Sequence, residues 1–155
     1  MALETKSLRA IDICRTDMVT ANENTSLYDV AKLMRQNHIG DVVITRSGEA
    51  EEIPIGVLTD RDIVVHGIAC DIALDEVAAG DLSAQELVTV EPDADILEIV
   101  RTMNTHAVRR IVVNGDSGYN GIITFDDILW ALSQIVSNLS AVTERQIQRE
   151  IKAEA

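Results

Sequence analysis

The chain has 155 residues, of which 46% are hydrophobic, 25% charged and only 3% aromatic, a globular composition whose core must be aliphatic. That length supports one substantial core or two small ones sharing an interface. A formal net charge of −13 argues against nucleic acid and anionic membranes as partners, and requires any phosphate-bearing ligand to find a locally basic pocket.

Residues 1–11 are polar, with Leu8 and Ile11 spaced for a short helical turn. Residues 18–21 read as a strand and 22–25 as a turn, where Thr25 or Ser26 can cap a helix. Leu27, Val30, Ala31 and Met34 then recur at the spacing of an amphipathic helix that ends at residues 37–40. Residues 42–44 form a buried strand, 46–52 a polar turn, 53–58 a further strand and 59–68 a helix. Residues 69–86 join this unit to the next, anchored by Val77, Leu82 and Leu87. The order then restarts, with a strand at 87–90, a turn at 91–93 and a helix at 95–105 that carries Ile96, Ile99, Val100 and Met103 on one face. A strand at 111–113, a Gly-rich turn at 114–119, a strand at 121–123 and a helix from about Phe125 follow. Ile128, Leu132, Ile135, Leu139 and Val142 make a heptad-like stripe along that last helix, suited to its own domain or to a second subunit. Beyond Val142 charged residues dominate, and the end is expected to fray.

The two halves are copies. Val19-Thr20 and Val88-Thr89, Met34 and Met103, and Val43 and Val112 each stand 69 residues apart, whereas Gly56 and Gly121 stand 65 apart. The second copy has therefore lost about four residues from a surface turn, where length changes are tolerated. Each unit runs strand–helix–strand–strand–helix, and the helix between its first two strands calls for a right-handed crossover. One unit of about 60 residues is marginal alone, so two are expected to pack sheet to sheet. The expected divisions are an N-terminal segment 1–11, units at 12–75 and 76–135, and a helical extension at 136–155.

The sharpest repeat is GVLTDRDI from Gly56 to Ile63 and GIITFDDI from Gly121 to Ile128. A Thr-x-x-Asp where a strand ends and a helix begins has the form of a capping box. Capping alone does not account for the preceding Gly-hydrophobic-hydrophobic, nor for its recurrence. The same junction can serve a ligand: the first amides of a helix accept phosphate, the Thr59 and Thr124 hydroxyls can each add a donor, and Asp62 or Asp127 can accept from ribose hydroxyls. The glycine leaves room for close approach.

These stretches, with VTANENTSL and VTVEPDADI before the first helices and the β-α-β-β-α order, resemble a tandem pair of cystathionine β-synthase (CBS) domains over roughly residues 12–135. The resemblance implies an α+β (α/β-like) fold of two repeats related by a pseudo-two-fold axis, with two clefts between them and a homodimer as the usual assembly. It implies no catalysis and no obligatory cofactor, but binding of AMP, ADP or ATP and regulation of an effector protein. Carried over, the favoured cleft would use Thr124, Asp126 and Asp127, Arg109 and Arg110 for phosphate, and Val19 and Thr20 against the base. The other would use Thr59, Arg61 and Asp62, with Gly40, Val88 and Thr89. Where the second unit has Arg109-Arg110 the first has Gly40-Asp41, and where the first has Arg61 the second has Asp126, so the clefts are not equivalent. NAD or S-adenosylmethionine are alternative ligands, and a ligand-free dimerisation module is an alternative role.

Catalysis would have to come from His38, His66, His106, Cys14, Cys70 or the Asp126–Asp127 pair, none of which falls in a hydrolase, metalloprotease or P-loop motif. No metal-ligand spacing appears. Cys14 and Cys70 lie far apart and outside any C-x-x-C, as reduced thiols do. The first thirty residues carry no signal-peptide core, and no apolar run approaches the roughly 20 residues of a membrane span, so a soluble cytoplasmic protein is expected.

Overall fold

The computed structural model describes residues 8–48, 52–83, 87–116 and 118–153, with residue 153 described by its backbone alone and residues 154–155 outside the description. Most of the expected N-terminal segment, residues 49–51 of the first polar turn, residues 84–86 of the joining segment and residue 117 lie outside the described residues. The fold is α+β, with two three-stranded sheets of the same topology.

In the first repeat β1 (Thr20–Asn22) pairs parallel to β2 (Asp41–Ser47), which pairs antiparallel to β3 (Glu52–Thr59). The second repeats this with β4 (Thr89–Val90), β5 (Arg110–Gly115) and β6 (Gly118–Thr124). The crossover helices are α2 (Leu27–Asn37) and α5 (Ile96–His106). Ser26 caps α2 by accepting from the Asp29 amide at 3.1 Å, and Asp95 caps α5 by accepting from Glu98 at 2.8 Å. Leu27, Val30 and Met34 are buried under α2, and Ile99 and Met103 under α5. Val100, expected on that face, is exposed; one step of about 100° from Ile99 carries it off so narrow a buried stripe. Both helices end on a left-handed residue, His38 (φ 54°) and Ala107 (φ 52°), although neither is the glycine usual there.

The helices cover one face of each sheet. Val42, Ile44 and Leu58 join the first core, and Ile111, Val113 and Ile123 the second. Val43, Val112 and Ile122 are also buried, and strand alternation turns them the other way, into the seam where β3 and β6 meet.

Neither core closes with its own residues. The arm before β1, containing α1 (Ala10–Ile13), packs on the second repeat. Ala10 is fully buried there, and its amide donates to the Ala94 carbonyl at 2.8 Å. Arg15 and Ile122 exchange a reciprocal pair of backbone hydrogen bonds at 2.9 and 3.0 Å. The arm before β4, with α4 (Ala79–Leu82), packs on the first repeat, where Ala79 is fully buried and donates to Thr25 at 2.7 Å. Each sheet slips register at the same point, Ile44/Thr45 and Val113/Asn114, facing Gly56 and Gly121. A side chain on Gly56 would come within 2.5 Å of the Ser83 carbonyl oxygen, and one on Gly121 would meet that of Arg15. The close approach these glycines permit is therefore that of an arm's backbone, where the sequence suggested a ligand.

The repeats part after their third strands. In the first, α3 (Asp60–Asp62) passes into a π-helical turn (Ile63–Gly67) and a 3₁₀ turn (Ile68–Cys70), and the chain folds back toward α2. In the second, α6 (Phe125–Ala153) runs unbroken for 29 residues, about 43 Å at 1.5 Å per residue. Beyond Val142, where the charged end was expected to fray, the chain is assigned to α6 as far as Ala153, in keeping with Glu, Arg, Gln, Lys and Ala as strong helix formers.

Because the obstacle is backbone, Gly121→Ala and Gly56→Ala should each cost about 2 kcal/mol of stability, the scale of overpacking a closed contact. Urea unfolding of the two variants measures this, and unchanged midpoints would refute the arm contact as a packing constraint.

Candidate functional site

At both motif junctions the capping box forms with aspartate in the acid position. The Thr124 amide and hydroxyl donate to Asp127 Oδ2 at 2.8 and 2.6 Å, and the Asp127 amide returns to Thr124 Oγ1 at 3.2 Å. Thr59 and Asp62 make the same three bonds at 2.9, 2.7 and 3.1 Å. A hydroxyl has one hydrogen to give. With that hydrogen on the aspartate, neither threonine adds the phosphate donor expected of it.

The helix-start amides are also largely spoken for. Phe125 donates to the Arg109 carbonyl at 2.8 Å and Asp127 to Thr124, so among the described residues only Asp126, of the first three amides of α6, lacks a protein acceptor. In α3 all three are engaged: Asp60 on Gly40, Arg61 on the Asp60 side chain and Asp62 on Thr59. What the second junction offers a ligand is one amide and Asp127 Oδ1.

Two clefts open between the repeats. The larger, about 560 Å³, brings together Thr124, Asp126, Asp127, Arg109, Arg110 and Val19 from the expected set, but not Thr20. The smaller, about 180 Å³, brings together Thr59, Asp62 and Val88, but not Thr89, which is exposed. Gly40 and Arg61, assigned from sequence to the Asp62 cleft, line the larger one. The reason for Gly40 is the parallel pairing of β1 and β2, which start at the same edge of the sheet, so the approach to β2 lies beside Val19. By the same rule Arg109 and Arg110, at the start of β5, wall the Asp62 cleft beside Val88; they reach the larger cleft as well because Arg110 is in register with Thr124. Two arginines thus stand in the smaller cleft where the larger has Gly40 and Asp41.

The larger cleft also contains Arg15, Asp17, Met18, His38 and Phe125, which the motif did not point to. Met18 continues the strand edge already implicated by Val19. Arg15 had no pattern to reveal it: the crossed arm brings it in, with its Nε 3.5 Å from Asp127 Oδ2. Arg109 lies 5.0 Å over the Phe125 ring and 4.0 Å from Asp126 in a highly exposed pair of little strength. Asp126 is 82% exposed and Asp127 23%, so the adjacent carboxylates diverge. Four arginines and five aspartates line this cleft. The basic pocket expected for a phosphate ligand is instead nearly balanced, in a chain of net charge −13.

Of the other reactive side chains, His66 and His106 are exposed. Among the described residues no three His, Cys, Asp or Glu side chains converge as metal ligands would, and no helix is long and apolar enough to cross a membrane.

A family model described as CBS domain matches residues 10–67 and 79–134. Uncharacterized protein MK0525 of Methanopyrus kandleri is 33% identical over 145 residues, 93% of this chain and 70% of that protein. Hypoxic response protein 1 of Mycobacterium tuberculosis is 34% identical over 119 residues, 77% of this chain and 81% of that one. The crystal structure of a Hypoxic Response Protein I with two coordinated zinc ions superposes with a TM-score of 0.69 at 32% identity, covering 80% of this chain and 98% of that chain. CBS domain protein PAE2072 from Pyrobaculum aerophilum, complexed with AMP, shares the fold with a TM-score of 0.68 at 22% identity, over 82% of this chain and 99% of that one.

The two thiols differ in a measurable way. Burial pushes the Cys14 thiol above its ordinary value, whereas Cys70 is exposed. Since the thiolate is the reactive form, a disulfide reagent at neutral pH should titrate one thiol fast and one slowly. Cys70→Ser should abolish the fast phase; loss of the slow phase instead would contradict the burial of Cys14.

Proposed function

The chain belongs to the CBS-domain family, as a tandem pair that makes a regulatory module, and from that premise we propose that it binds an adenosine-containing nucleotide, AMP, ADP or ATP, in the larger cleft without catalysing a reaction on it. One observation carries the reading: a cavity of about 560 Å³ sets Asp127 Oδ1 against arginines from both repeats. That volume lies within the roughly 300–1,000 Å³ usual for small-molecule sites, and the 180 Å³ of its partner falls below it. Asp127 would accept from the ribose. Because the threonine hydroxyl is committed, phosphate would fall to the arginines and the Asp126 amide. Val19 and Met18 would flank the base. The AMP bound to PAE2072 supports the ligand class by fold likeness.

The output would pass through a homodimer to an effector protein. Support comes from α6, which buries Ile128 and Ala131 and then runs on with Leu132, Ile135, Leu139 and Val142 all exposed. An uncovered apolar stripe along a helix is the face a second subunit covers. A cytoplasmic setting agrees with two unpaired cysteines.

AMP at about 100 times its Kd should stabilise the protein by roughly 2.7 kcal/mol, read as a rise in melting temperature. Asp127→Ala should weaken binding more than Asp62→Ala in calorimetry, and the reverse order would move the site to the smaller cleft. A melting temperature unmoved by AMP, ADP, ATP, NAD and S-adenosylmethionine would remove the sensing function. Light scattering should report a dimer, and Leu139→Glu should dissociate it; a monomeric parent protein would leave the α6 stripe without this role.

A further inference from the structure

The repeats differ most where they touch. Asp41 and Arg110 are 69 residues apart, the same offset that relates one repeat to the other, so one structural position carries an acid in the first copy and a base in the second. The pseudo-two-fold axis sets them face to face. Arg110 Nε donates to Asp41 Oδ2 at 2.7 Å, with the side chains only 29% and 19% exposed.

Both members line the larger cleft. Arg110 is its most buried arginine: Arg15 is 47% exposed, Arg109 70%, and Arg61 is also exposed. A guanidinium withdrawn from water holds an anion more strongly than one screened by it. The best phosphate anchor in the cleft is therefore already occupied, by a carboxylate from the opposite repeat.

We propose that Asp41 is a tethered anion in the phosphate seat at Arg110, so that the larger cleft admits an anionic ligand only by exchanging it for this ion pair. This rests on the proposed nucleotide site and adds to it a determinant of affinity and charge selectivity. A pair that is closed ten times more often than open weakens the apparent affinity for phosphate about tenfold. A neutral ligand in the same cleft escapes that penalty. The exchanged contact also joins the two repeats, so occupancy by an anion necessarily changes how they are tied.

The test is calorimetry on the full chain with AMP and with adenosine, which differs by the phosphate. Asp41→Asn should tighten AMP about tenfold and leave adenosine within about twofold. Asp41→Ser, too short to hold Arg110, should give the same AMP-specific gain; equal changes for the two ligands would mean a perturbed cleft and overturn the tether. Asp60→Asn removes the same charge from the same cleft without freeing Arg110, and should tighten AMP by no more than about threefold. Equal gains from Asp60→Asn and Asp41→Asn would reduce the effect to general charge and defeat the proposal. If the parent protein binds AMP and Asp41→Asn binds it no better, the nucleotide site stands and the tether falls. If neither protein binds AMP, both fall.

Discussion

Everything else in the molecule depends on two backbone carbonyls lying against two glycines. The arm ahead of each repeat crosses to the other repeat, and the Ser83 and Arg15 carbonyls sit where a side chain on Gly56 or Gly121 would have to go. With that approach allowed, Ala79 and Ala10 reach the cores of the opposite repeats and are fully buried. Neither repeat has a complete core by itself. Two units of marginal size thus become one interdependent structure, and the clefts between them are as permanent as the cores.

The crossing explains which parts of the fold were legible in the sequence. The crossover helices could be placed from Leu27, Val30 and Met34 and their counterparts because burial of a helix face leaves a period of 3.6 residues. The arms leave little such trace, since beside the backbone contacts at the glycines their apolar side chains, Ala10, Ile13 and Cys14 in one and Val77, Ala79 and Leu82 in the other, fall in stretches too short to show a period. Gly56 and Gly121 were visible as a repeat, but a glycine shows only that something comes close. The heptad stripe of α6 was equally visible, whereas the length of that helix follows from propensity in a charged tail.

The candidate site was legible in its residues and less so in their arrangement. Thr-x-x-Asp was recognisable both as a capping box and as a ligand-facing junction, and the structure shows the first use consuming part of the second: Asp127 Oδ2 and the Thr124 hydrogen are bound to one another. Gly40 and Arg61 were assigned by staying within one repeat. Parallel strands make the site from two repeats, because the loops entering β1 and β2 emerge side by side and face the junction of the other half. The β-α-β order already held that consequence.

Symmetry between the copies sets the scaffold, and departures from it set the chemistry. A partly buried arginine such as Arg110, 29% exposed, needs a compensating acid close by, because a charge withdrawn from water and left unpaired is costly. At the axis the compensation comes from the equivalent residue of the other copy, an economy open only to a duplicated fold whose copies have diverged. Had both copies kept the acid or both the base, like charges would meet at the centre of the seam and oppose its closure. Opposite charges close it and hold a guanidinium half-buried between the repeats. They also leave Arg110, together with Arg109, bordering both clefts at once. The two clefts, inequivalent in size and lining, thus meet at the residues where the copies have diverged most.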